Sequence, residues 1–201
     1  MRIAKNFSNL TVICTLLALA ATFPGCSRGI KEGLYAVTGA GGKATLIQGR
    51  QDDLATFAAR FGGISIEPFS SDVGDACPSE FLTALPAAIQ KELQYRSRSL
   101  TEKLKGVDEA EAGPFFTGPA DQTLVLRGRV IQYDTGSIED KALSPLDEAI
   151  CRVQFIDAAT GTTLAEANLT GRVKSSVRTG PQELANGVAK AVRDLLKPAD
   201  D

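Results

Sequence analysis

Residues 64–69, Ile64-Ser65-Ile66-Glu67-Pro68-Phe69, alternate apolar and polar, the period of a strand with one buried face. Pro68 should end its ladder or put that end at an edge. Cys77-Pro78-Ser79-Glu80 then opens a helix, since proline is favoured at a first helical position and Glu80 suits the positive end of the dipole. Phe81, Leu82, Leu85, Ile89 and Leu93 recur at helical spacing. Pro86 falls inside this run and should kink or split the helix.

Residues 124–133 form the strongest strand pattern, and residues 149–157 and 163–174 give two more. The tight turn Ala158-Ala159-Thr160-Gly161 makes the last two a hairpin. Residues 96–122 are charged and broken by Gly113-Pro114 and Gly118-Pro119, and read as the least structured region. Residues 134–145 read as a turn or flap. Thr179-Gly180-Pro181-Gln182 matches a capping box. The closing helix carries Leu184, Val188, Val192 and Leu195 on one face, with Lys190, Arg193 and Lys197 toward its negative end and Pro198 as its stop. Upstream, two β-prone pieces at 34–37 and 44–47 flank Gly39-Ala40-Gly41-Gly42, a hairpin signal, and residues 52–60 suit a short helix ended by Gly62-Gly63. The order strand, helix, three-strand meander, helix predicts an α+β fold: a mostly antiparallel sheet with the helices packed on one face.

The first residues follow a different logic. Arg2 and Lys5 precede a twelve-residue apolar run, LTVICTLLALAA, at 10–21. As a helix it would span roughly 18 Å, short of the roughly 30 Å hydrocarbon core, so it reads as a signal-peptide core. Gly25 and Cys26 follow. The stretch Phe23-Pro24-Gly25-Cys26 resembles the lipobox of bacterial lipoproteins, in which a branched aliphatic residue and a small residue usually stand where Phe23 and Pro24 stand here. The resemblance implies a diacylated Cys26 as the mature N-terminus, with Ser27 in place of Asp favouring outer-membrane delivery and the domain in the periplasm. Two acyl chains give the stable anchoring that one does not. The alternative is an ordinary secretory signal cleaved near Gly25 that leaves Cys26 a free thiol. The expected organisation is a signal peptide at 1–25, a lipidated N-terminus with hairpin and short helix at 26–62, and the α+β domain at 63–198.

Composition narrows the chemistry. The 201 residues carry 22 Lys and Arg against 24 Asp and Glu, which does not suggest a nucleic-acid binder. No histidine is present, which removes the commonest general base and metal ligand and makes a Ser-His-Asp arrangement impossible. Val37-Thr38-Gly39-Ala40-Gly41-Gly42 mimics a nucleotide loop, but 44–47 is too short and β-branched for the helix that mechanism needs. The same stretch fails as a P-loop, with Val37 at the first glycine position and Ala44 at the hydroxyl position. Acidic pairs at Asp108-Glu109, Glu139-Asp140 and Asp147-Glu148 read as solvated loop surface. No catalytic residue, metal or cofactor is expected, and the chain reads as a non-enzyme.

Two features remain. Cys77 and Cys151 could pair as a disulfide in an oxidising compartment or stay buried thiols. Arg127, Arg129, Arg152, Arg172, Lys174 and Arg178 run along the meander. They could form a basic face for an acidic partner or pair across strands with Glu166 and its neighbours.

A second resemblance covers residues 64–196. The opening strand, the helix from Phe81 to Leu93, Leu126-Arg127-Gly128-Arg129-Val130, Phe155-Ile156-Asp157-Ala158-Ala159-Thr160-Gly161 and the closing helix are similar to DUF4410-type envelope lipoproteins. These are related in architecture to the curli-secretion lipoprotein CsgG and the penicillin-binding-protein activator LpoB. The resemblance supplies no catalytic residue. It implies a lipid-anchored protein-binding or assembly-accessory module with the membrane and envelope proteins as partners. The alternative is a binder of a small envelope ligand, lipid or glycan. Oligomeric state is not legible in the sequence.

Overall fold

The computed structural model describes residues 40–95, 113–135, 146–174 and 180–197, with Leu146 and Lys174 described in their backbone alone. The elements in chain order are β1 (Ala40–Gln48), α1 (Gln51–Ala55), α2 (Phe57–Arg60), β2 (Gly63–Ile66), β3 (Ser70–Ser71), α3 (Ser79–Glu92), β4 (Thr123–Asp134), β5 (Leu146–Asp157), β6 (Thr163–Lys174) and α4 (Pro181–Leu196). They make the expected α+β fold around one mixed sheet in the order β1-β6-β5-β4-β2, with β3 also on β4. β1, β6, β5 and β4 pair antiparallel, while β2 and β3 run parallel to β4.

The four α-helices among the described residues lie on one face. Phe57 of α2 packs edge-on against Phe155 of β5, with ring centroids 6.3 Å apart, and Phe81 of α3 meets Tyr133 of β4 at 5.1 Å. Alternation along the strands buries Leu124, Leu126 and Val130 of β4, Ala149, Cys151, Val153 and Phe155 of β5, and Ala165, Ala167 and Leu169 of β6 against those helices. α4 is more deeply buried than a one-faced stripe requires. Ala185, Gly187, Ala189 and Ala191 join Leu184, Val188 and Val192 in the core, because the helix packs against both the sheet and α3.

Several expectations change. Gly41 and Gly42 do not turn the chain; they lie inside β1, and residues 34–37 of the expected hairpin lie outside the described residues. The glycines serve packing instead. Gly42 is the register partner of Gly171, and Gly187 of α4 sits above the pair with no room for a side chain. β1 therefore belongs to the main sheet, paired with β6. The helix expected over 52–60 is two short helices broken at Thr56. Pro86 does not split α3, since Leu85, Ala88 and Ile89 on either side of it are buried and hold both halves to the core.

The cap of α4 is Gly180, with no side-chain cap bond, and Gln182 donates forward to Asn186 Oδ1 at 3.3 Å; Thr179 lies outside the described residues. The second half of the loop before β4 is packed. Phe115 and Phe116 are buried, and the Thr117 and Gly118 amides donate to Ala58 O at 2.7 Å and Phe61 O at 2.9 Å. Asp147 and Glu148 belong to β5 and not to a loop, and Asp147 is only 2% exposed. The other two acidic pairs lie outside the described residues.

Candidate functional site

The sheet's second face carries no helix among the described residues, and strand alternation sends the arginines there. Arg127 and Arg129 project from β4, Arg152 from β5 and Arg172 from β6. Each meets a carboxylate. Arg127 donates Nε and Nη2 to the two oxygens of Glu67 at 2.6 and 3.0 Å, a fork that holds the Glu67 carboxyl below its ordinary value. Arg129 Nη1 stands 3.3 Å from Asp72. Arg152 Nε donates to Asn168 Oδ1 at 3.3 Å and lies 3.6 Å from Glu166. Arg172 pairs with Glu148. Lys174 pairs with Leu146 by backbone register, its side chain lying outside the described residues together with Arg178 and Cys26.

The four described arginines thus form a face laced with ion pairs. Glu166 as a cross-strand partner was legible from the sequence. Glu67 was legible as a polar-face residue of an alternating strand, but its pairing needs the parallel contact of β2 with β4, and Asp72 comes from the turn after β3. Three of the arginines are brought together. Arg127, Arg129 and Arg152, with Ser70, Gln154 and Glu166, line a depression of about 330 Å³.

Cys77 and Cys151 are both buried free thiols. Cys151 lies on the helix-facing side of β5, opposite Val130. Burial pushes both thiols up. A hydrogen bond with Ser71 partly offsets the shift at Cys77, and the Cys77 charge adds to it at Cys151. The same neighbourhood pushes Tyr133 up to about 12, first through burial and then through the charges of Cys77, Asp147 and Glu80. Among the described residues no group of three or more potential ligands could hold a metal ion, and no helix is long and apolar enough to cross a membrane.

No family model matches the sequence, and no curated protein matches it. Among solved structures the fold is similar to a PelC dodecamer from Paraburkholderia phytofirmans. In a single-site variant of that protein the identity is 15%, the match covers 78% of this chain and 98% of that one, and the TM-score is 0.47. A second crystal form gives 16% identity, the same coverage and a TM-score of 0.44. Lipoprotein GNA1162 from Neisseria meningitidis is 18% identical over 67% of this chain and 97% of that one, at a TM-score of 0.33. No residue role is carried over from them.

Proposed function

We propose that this chain is a lipid-anchored envelope lipoprotein, attached at Cys26 and displayed on the periplasmic side of the outer membrane, whose α+β unit is a non-catalytic protein-binding or assembly-accessory module. The anchor reading rests on the short apolar run and on Gly25-Cys26 after it. The observation that carries the module reading is the edge strand β1. Among the described residues it pairs with β6 alone, and it bears Ile47, 48% exposed. A long edge with an exposed apolar side chain is a template for strand addition by a partner.

Two experiments test the two parts. Intact mass of the protein from membranes of its native host is compared with a Cys26→Ala variant. The expected result is a gain matching diacylglycerol that disappears in the variant together with membrane association; a mature chain without lipid in the soluble fraction overturns the anchor. A photo-crosslinking residue at position 47 should give a discrete adduct with an envelope protein, lost when Thr45→Pro blocks strand pairing. No adduct overturns the module reading.

A further inference from the structure

The β4–β5 register sets Arg129 directly opposite Arg152. Like charges opposed across an antiparallel pair are destabilising, and nothing in the local alternation requires them. The next pair on the same face opposes Arg127 to uncharged Gln154. Two carboxylates lie to either side of the pair, with Asp72 engaging Arg129 from beyond β3 and Glu166 engaging Arg152 from β6. The depression lies over this pair, and among the described residues its lining has no aromatic or aliphatic side chain. Each guanidinium has five N–H donors. Among the described residues the contacts of Arg129 and Arg152 use one nitrogen of each, and the remaining nitrogens of the two forks carry donors suited to a further acceptor. Carboxylates on their flanks hold the two forks in place, and Gln154 and Ser70 add neutral hydrogen-bonding groups to the wall.

We propose that the depression is an oxyanion site in which one phosphate group bridges Arg129 and Arg152. A phosphate presents oxygens in several directions, so it can accept from two guanidiniums at once. Its charge also removes the repulsion that the register imposes. The polar wall suits a phosphate carrying a short polar substituent, whether free in the envelope or as the headgroup of an anionic lipid. The site does not depend on whether Cys26 carries lipid.

The test uses the full chain in non-ionic detergent micelles, titrated calorimetrically with sodium phosphate and separately with glycerophosphoglycerol, the soluble headgroup of an anionic phospholipid, at matched ionic strength. Saturable one-to-one binding of at least one probe is expected. Arg129→Gln and Arg152→Gln should each weaken it about ten-fold or more, the loss of a charge-assisted hydrogen bond, while Arg50→Gln, outside the depression, leaves it unchanged. Arg152→Lys keeps the charge but not the fork, and it should still weaken binding several-fold if either glutamine variant fails to fold. Stronger binding of phosphate points to a free phosphate ligand, and stronger binding of glycerophosphoglycerol to a lipid headgroup. If neither probe saturates, or if Arg50→Gln weakens binding as much as the others, the response is diffuse surface charge and the proposal is overturned.

Discussion

Gly42 on β1 and Gly187 on α4 meet backbone to backbone: a Cβ built on Gly42 would stand 2.2 Å from the Gly187 carbonyl oxygen. Neither atom can yield without moving a strand or a helix. Gly42→Ala should therefore destabilise the protein by about 1–3 kcal/mol, the usual range for overpacking. Gly187→Ala is the sharper probe. In an unpacked helix that change stabilises by about 1 kcal/mol, whereas here the new methyl would lie 2.6 Å from Gly41 O, so the sign should reverse. Urea unfolding of both variants, with unchanged m-values, checks this.

Gly128 stands inside β4 where the Phe69 ring occupies the space of a side chain, with Cε1 2.2 Å from where a Cβ would be. Gly128→Ala and Phe69→Leu should each destabilise. Combined, they should cost less than their sum by about 0.5–3 kcal/mol, the coupling expected of residues in contact. A double-mutant cycle by thermal or denaturant unfolding reads this directly; strict additivity would show that the ring does not rest on the glycine.

Cys77, Cys151 and Tyr133 all hold their protons more tightly in the folded chain than their ordinary values of 9.0, 9.0 and 10.0 imply. Below pH 8 these groups are protonated in both states and contribute no pH dependence. As pH rises through the ordinary values, the unfolded chain loses protons that the folded chain keeps, so stability falls. Unfolding free energy measured from pH 7 to 10.5 under reducing conditions should decline above about pH 9, and more shallowly in a Cys77→Ala, Cys151→Ala double variant.

Glu67 titrates in the opposite sense. Its hydrogen bonds from Arg127 keep its folded pKa below the ordinary 4.5. Its contribution to stability is present above that value and is lost as pH falls through the folded value. Both partners reach solvent, so the effect should be small and screened by salt. Carboxyl chemical shifts followed by NMR should place Glu67 below 4.5 at low salt and return it toward 4.5 in Arg127→Gln.

What the sequence disclosed follows from how local each signal is. The alternation in TLAEANLTGRVK runs unbroken, and the strand read there, 163–174, coincides with β6. The same alternation placed Arg127, Arg129, Arg152 and Arg172 on one polar side. Gly41 and Gly42 were misread because their reason lies at Gly187, far along the chain. Asp147 was misread because an acid beside another acid resembles loop surface, whereas its strand position turns it inward. The parallel seating of β2 on β4, and with it the Glu67–Arg127 fork, has no sequence-local mark. The direct opposition of Arg129 and Arg152 depends on register, which is set by the β5 residues and the bulge between Val130 and Gln132.

The pairing of β1 with β6 also sets the order in which the molecule can assemble. Ala40 and Val173 are register partners far apart in sequence, so the first of the described strands to be synthesised waits for one of the last. A loop closure of that span is slow. Until it happens, the apolar side of β1 and the glycine seam beneath α4 have nothing to rest on. Until that pairing forms, the incomplete fold exposes apolar surface that invites aggregation.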